Sequence, residues 1–153
     1  MSERFDLTKF FPYRLAVLAE RVSQAVSRVY AEPFDLTLAD WRVLAALDAD
    51  GAMAAKDIAA YSTLDKMQVS RAVARLEERG FVARREDKHD RRAKLLRLTV
   101  SGRALMAEIV PRIVEREENV LAELDPAARA ALERAMEIVL RRANALVEGE
   151  REV

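Results

Sequence analysis

Residues 65–80, DKMQVSRAVARLEERG, constrain this chain more than any other stretch. Val69, Ala72, Val73 and Leu76 recur at helical spacing, so one stripe of a helix must face a core. The opposite face carries Met67, Gln68, Arg71, Ala74, Arg75 and Glu78, a set of fork-shaped and small side chains suited to entering a groove without clashing. After Gly80 the pattern changes to FVARRE, then DKHDRRAK, then LLRLT. It reads as two short strands joined by a cationic tip. A helix followed by a basic hairpin is the layout of a winged helix.

Charge follows the same division. Residues 65–103 hold 12 Lys+Arg against 6 Asp+Glu, a local charge of +6, in a chain with 26 of each and a formal net charge of zero. The remainder therefore carries −6. A protein so divided presents one face to a polyanion and keeps its other faces off it.

At 153 residues the chain has room for one well-packed domain plus an extended accessory element. With 51% apolar and 34% charged residues it is a folded, helix-rich protein rather than a disordered one. There is no cysteine, which excludes disulfides and thiol chemistry, and the lone histidine, His89, leaves little for a zinc site. No apolar run of about 18 residues and no signal-peptide core occur, so the expected location is the cytoplasm, with no membrane partner. No cofactor is expected.

Taken in order, residues 1–11 read as a short irregular arm rich in phenylalanine. From Tyr13 to Glu32, Leu15, Leu18, Val22, Val26 and Val29 keep the helical period, predicting one amphipathic helix of about five turns that Pro33 ends. Thr37 and Asp40 have capping-box spacing, and Leu36 with Trp41 that of a hydrophobic staple, so a second helix is expected over 38–48. Residues 49–52 read as a turn and 55–61 as a short third helix. A tight connection then leads into the 65–80 helix, which is the helix-turn-helix arrangement. Thr99 can cap a helix running from Val100 toward Leu124, with a kink or break expected near residues 108–110 because Pro111 lies inside it. Asp125-Pro126 opens the last helix.

The fold class expected is mostly α with a small β-hairpin wing: a winged helix-turn-helix domain at 35–99, flanked by an arm and dimerisation helix at 1–34 and C-terminal dimerisation helices at 100–153. The terminal helices carry about half of the strongly apolar residues, more than a winged helix of about 70 residues needs. Interleaving them between two copies would bury Leu132, Met136, Val139, Leu140 and Leu146 in an apolar isologous interface. The competing expectation is that they fold back on their own domain.

Several strings are similar to the MarR family of bacterial transcriptional regulators: LTLADWRVLAAL at 36–47, and the run from Asp65 through Leu105 across helix and wing. The most specific part is Asp90-Arg91-Arg92 followed by Leu98-Thr99 and Gly102, which resembles that family's Asp-Arg-Arg to Leu-Thr-x-x-Gly pattern. The resemblance implies a homodimeric winged helix-turn-helix repressor, often released from its operator by a small, commonly aromatic, anionic ligand. Lacking cysteine, the chain departs from the family's thiol-sensing branch.

Candidate DNA contacts on the recognition helix are Lys66, Met67, Gln68, Ser70, Arg71 and Arg75. Gln68 either reads an adenine edge or is only the reciprocal cap partner of Asp65, and Arg71, one turn on, is the better candidate for guanine or phosphate. Lys66 and Ser70 suit phosphate, aided by the positive end of the helix. In the wing, one of Arg91 and Arg92 is expected to enter the minor groove while the other pairs with Asp90, leaving Arg84, Lys88 and Lys94 for phosphates. Tyr13, Arg14, Trp41 and Arg42 are the candidate pocket for a small aromatic acid or a conjugate of one, with Arg14 the expected carboxylate partner. The partners expected are thus a double-stranded operator, a second copy of the chain, and that acid. An enzyme is not expected, since no nucleophile-base set, phosphate loop or metal cluster is present. A helical protein-protein adaptor on the same scaffold is the other alternative.

Overall fold

The computed structural model describes residues 5–86 and 94–149. Two reciprocal caps set where its central helices begin. Thr37 N–H donates to Asp40 Oδ2 at 2.9 Å while Asp40 N–H donates to Thr37 Oγ1 at 3.1 Å, and Asp65 and Gln68 repeat the arrangement at 3.0 and 2.8 Å. Each cap satisfies donors that a helix start leaves orphaned.

The elements run in order α1 (Phe11–Ser27), α2 (Ala31–Phe34), α3 (Leu38–Asp50), β1 (Ala52–Ala54), α4 (Ala55–Ser62), α5 (Lys66–Glu78), β2 (Val82–Glu86), β3 (Lys94–Leu98), α6 (Val100–Val120) and α7 (Pro126–Gly149). They fall into two compact units, Met1–Arg116 and Glu117–Val153.

The core of the first unit gathers the inward faces of α3, α4, α5, the sheet and the start of α6. Val69, Ala72, Val73 and Leu76 are all within 1% of full burial, as their spacing predicts. Burying each of the larger three contributes about 1.5–3 kcal/mol before chain entropy is counted. Gly80 ends α5 at φ +73, and Phe81 N–H returns to the Leu76 carbonyl at 2.9 Å. A left-handed turn of this kind favours glycine. It points the chain into β2, which pairs antiparallel with β3 through Val82–Leu98 and Arg84–Leu96. The two expected strands of the wing are therefore present and paired.

Four sequence expectations are corrected. The first helix does not run to Glu32: it stops at Ser27, and Val29 and Tyr30 turn inward through three-residue hydrogen bonds to Val26 and Ser27. Pro33 lies inside α2 rather than ending a helix, because in a first turn its missing N–H forfeits no bond. The expected turn at 49–52 is shared between the end of α3, Gly51 at φ +82, and β1, which adds a third strand by pairing Met53 with Leu96. Finally, α6 continues through Pro111 and ends at Val120, short of Leu124.

In the second unit, Asp125 Oδ1 accepts Ala128 N–H at 2.7 Å and starts α7. Arg129 then donates to Glu118 at 2.7 Å and to the Leu121 carbonyl at 3.2 Å, occupying acceptors that the end of α6 leaves open.

Candidate nucleic-acid interface

The helix-turn-helix is α4, a short turn and α5. Thr63 holds the turn at φ +58, and the Arg42 guanidinium donates to its hydroxyl at 3.1 Å. With its apolar stripe inward, α5 presents Lys66, Met67, Gln68, Ser70 and Arg71 to solvent over its first two turns. Met67 is 60% exposed. Among the described residues neither Lys66 nor Arg71 makes an ion pair. These cations stand beside unpaired N–H groups at the positive end of the helix, a combination that attracts phosphate.

Gln68 fulfils the bland alternative, since its Oε1 accepts Asp65 N–H. That role leaves the Nε2 side of the amide for an acceptor outside the helix. Arg75 lies on the exposed side of α5 with its guanidinium on Asp40 and Thr37. In the wing, Arg84 donates to Glu77 at 2.8 Å, and Lys94 opens β3 fully on the surface. Lys88, His89, Asp90, Arg91 and Arg92 lie outside the described residues.

A second feature of the first unit is an open groove of about 530 Å³ bounded by α1 (Ala19, Glu20, Ser23, Gln24, Ser27), by Tyr30 and Ala31, and by Leu36, Thr37, Leu38 and Arg42. Of the four residues assigned to a pocket from sequence, it contains Arg42. Tyr13 and Arg14 are exposed nearer the start of α1, and Trp41 stacks on Tyr30 with ring centroids 5.5 Å apart. The Tyr30 hydroxyl is buried with no hydrogen-bond partner among the described residues. Burial pushes its pKa up, and the nearby Arg42 charge opposes that shift. Sequence reading missed Tyr30 because it placed this residue on the continuous first helix. It missed Ser23 and Gln24 because nothing in their spacing marks them off from a solvated face.

The residues assigned to a subunit interface are exposed in the single chain: Leu132, Met136, Val139, Leu140 and Leu146 lie 39–62% open along α7. The start of α1 is equally bare, with its cap residue Phe10 and Phe11, Leu15 and Leu18 all exposed.

Comparison with known proteins agrees with this geometry. The model of the MarR family matches residues 34–93. The HTH-type transcriptional regulator YwoH of Bacillus subtilis is 38% identical over 92 residues, 60% of this chain and 66% of that one. The transcriptional activatory protein BadR of Rhodopseudomonas palustris is 32% identical over 104 residues, 65% of this chain and 58% of BadR. The matches thus span just under two thirds of one relative and less of the other. Among solved structures, BpsR of Bordetella bronchiseptica, whose DNA binding is regulated by 6-hydroxynicotinic acid, superposes with TM-score 0.79 at 27% identity, covering 90% of this chain and 97% of BpsR. PcaV of Streptomyces coelicolor, solved with its natural ligand, gives 0.73 at 26%, covering 93% and 99%. A MarR/EmrR family regulator from Acinetobacter reaches 0.83 at 23% identity over 92% and 99%, a likeness of fold.

Proposed function

We propose that this chain acts as a MarR-family transcriptional regulator and not as an enzyme: a homodimeric repressor that binds a pseudo-palindromic operator and is released by a small aromatic acid. The observation that carries the reading is the first two turns of α5, where a capped helix start exposes Lys66, Met67, Gln68, Ser70 and Arg71 together above a fully buried stripe. In a helix-turn-helix this is the part of the recognition helix that reaches base edges. Arg84, Lys88 and Lys94 supply backbone contacts, which hold register without specifying sequence, and one arginine of the Asp90-Arg91-Arg92 tip reads the narrow minor groove.

The bare apolar faces of α1 and α7 support the dimer: exposed patches of this extent mark an interface, and a second copy with the same faces is the partner of matching chemistry. A symmetric dimer places two recognition helices about one helical turn of DNA apart, roughly 34–36 Å, which accounts for a palindromic site. Such a regulator works in the cytoplasm, and none of the described helices is long and apolar enough to cross a membrane.

For the effector, the groove beside Tyr30 supplies a cation and an unpartnered hydroxyl at an apolar wall, the chemistry that holds an aromatic carboxylate. BpsR, whose DNA binding is regulated by 6-hydroxynicotinic acid, supports a ligand of that size. Arg42 is the first candidate for its carboxylate and Arg14 the second. The test is fluorescence anisotropy on labelled DNA recovered by footprinting the chain's own upstream region. Steep weakening of that complex with salt supports DNA binding, whereas an adaptor with an apolar interface shows none.

A further inference from the structure

From its position midway along α5, Arg75 would count as one more cation for DNA. Its surroundings commit it elsewhere. Its Nε and Nη2 both donate to Asp40 Oδ1, at 3.2 and 2.8 Å, and Nη2 also donates to Thr37 Oγ1 at 3.1 Å. Asp40 is 2% exposed, and its second oxygen is already taken by Thr37 N–H. Were Arg75 to turn toward a phosphate, it would leave a buried carboxylate without its cation, an arrangement that folded proteins avoid. One helical turn further on, Arg79 donates Nη1 to the Asp35 carbonyl at 2.6 Å and Nη2 to the Phe34 carbonyl at 2.8 Å. Asp35 stands at φ +51 between the two helices it joins. Two arginines spaced by four residues thus fasten α5 to the single short segment 34–40, which lies 35 residues or more away in sequence.

We infer that Arg75 is a positioning residue: paired with Asp40 and seconded by Arg79, it sets the roll and depth of α5 against α3, and it makes no contact with DNA itself. The inference rests on the DNA-binding reading and deepens it. Bidentate base contacts tolerate little misplacement, so a helix that can roll loses discrimination before it loses general attraction to the duplex. Asp40, though shut away from any ligand, then becomes a determinant of specificity.

The experiment uses the full chain, its footprinted operator and a scrambled duplex, with affinities read by anisotropy across a salt series. Asp40→Asn and Arg75→Gln should each weaken operator binding about tenfold, and the double variant should be no worse than either, as for two members of one network. Neither should change affinity for the scrambled duplex or the slope of log K against log salt. Arg75→Lys, which keeps a charge within reach of Asp40, should recover part of the loss. If Arg75→Gln instead weakens both duplexes alike and lowers the slope by about 0.9, the residue is a phosphate contact and the inference falls. Discrimination unchanged in Asp40→Asn overturns it equally. Thermal melts establish that each variant is folded, and Asp40→Glu, which keeps the charge but moves it by one methylene, replaces Asp40→Asn should that variant not fold. A native chain that prefers no operator overturns the DNA-binding reading and this inference with it; a native chain that discriminates, with variants that discriminate as well, overturns this inference alone.

Discussion

The Thr99 hydroxyl donates to the Gly80 carbonyl at 2.6 Å and accepts Gly102 N–H at 3.0 Å, so one side chain joins the end of α5 to the first turn of α6. The backbones meet closely here: a Cβ on Gly102 would collide with the Phe81 carbonyl oxygen. This packing gives physical content to the Leu98-Thr99 and Gly102 pattern.

Gly102→Ala should therefore destabilise the protein by about 3 kcal/mol, because the opposing atom is backbone and cannot swing aside. Thr99→Val, which removes the cap, should cost about 1–2 kcal/mol. Urea unfolding followed by circular dichroism measures both. A Gly102→Ala protein as stable as the native one would mean that α6 does not start against Phe81.

Sedimentation equilibrium of the native chain should return about twice 17.3 kDa at micromolar concentration. Leu140→Glu combined with Leu146→Glu should shift the protein toward unfolded or aggregated monomer. A soluble, folded native monomer would remove the dimer from the proposal.

Arg71→Ala should lose about 1–3 kcal/mol on the matched operator and flatten preference at one base position. Lys94→Ala should weaken all sequences alike and reduce the salt slope by roughly one unit. Competition between matched and scrambled duplexes separates the two. Equal behaviour of both variants would make Arg71 a phosphate contact.

Tyr30→Phe removes a buried hydroxyl that has no partner, so the ligand-free protein should gain up to about 1–3 kcal/mol. The same change should blunt release from the operator by benzoate- and cinnamate-like acids while leaving DNA affinity in their absence intact; Arg42→Ala should blunt release too, read against its own ligand-free affinity because it also removes the hydrogen bond to Thr63 in the helix-turn-helix turn. Arg14→Ala tests the second carboxylate candidate in the same titration. Native responses in all three variants would move the effector site away from this groove.

The Tyr30 pKa is raised above 10.0 by burial, so the unfolded chain ionises this phenol first as pH rises. Its contribution is fully present below pH 10 and is lost as pH climbs through the folded-state value. Alkaline melting curves of the native protein should fall more steeply above about pH 10 than those of Tyr30→Phe.

What could be read from sequence was local. Thr37 with Asp40, and Asp65 with Gln68, announce their helices because each cap closes within three residues, and the α5 stripe repeats every three or four. Features made by distant segments were not legible. Strand β1 is only Ala52–Ala54 and exists because β3 arrives more than 40 residues later to pair with it. The break after Ser27 follows from the pull of the core on Val29 and Tyr30, which leaves the helical period of the segment intact. Arg75 carried the composition of a DNA contact, and only the fold reveals that Asp40 stands beneath it.

The order β1-β3-β2 leaves β2 with one neighbour among the described strands, so its other side is an edge of the described sheet. An open strand of this kind is a template for the strand of another chain, and charge along it is one way that proteins prevent such pairing. Arg84 and Arg85 lie on β2, both exposed. Like charges on two such edges repel, so Arg84 and Arg85 disfavour pairing of β2 with the same strand of a second copy. Substitutions that neutralise this strand in order to weaken DNA binding carry a second effect, a greater tendency to aggregate, so a loss of operator affinity in such variants has to be separated from a loss of soluble protein.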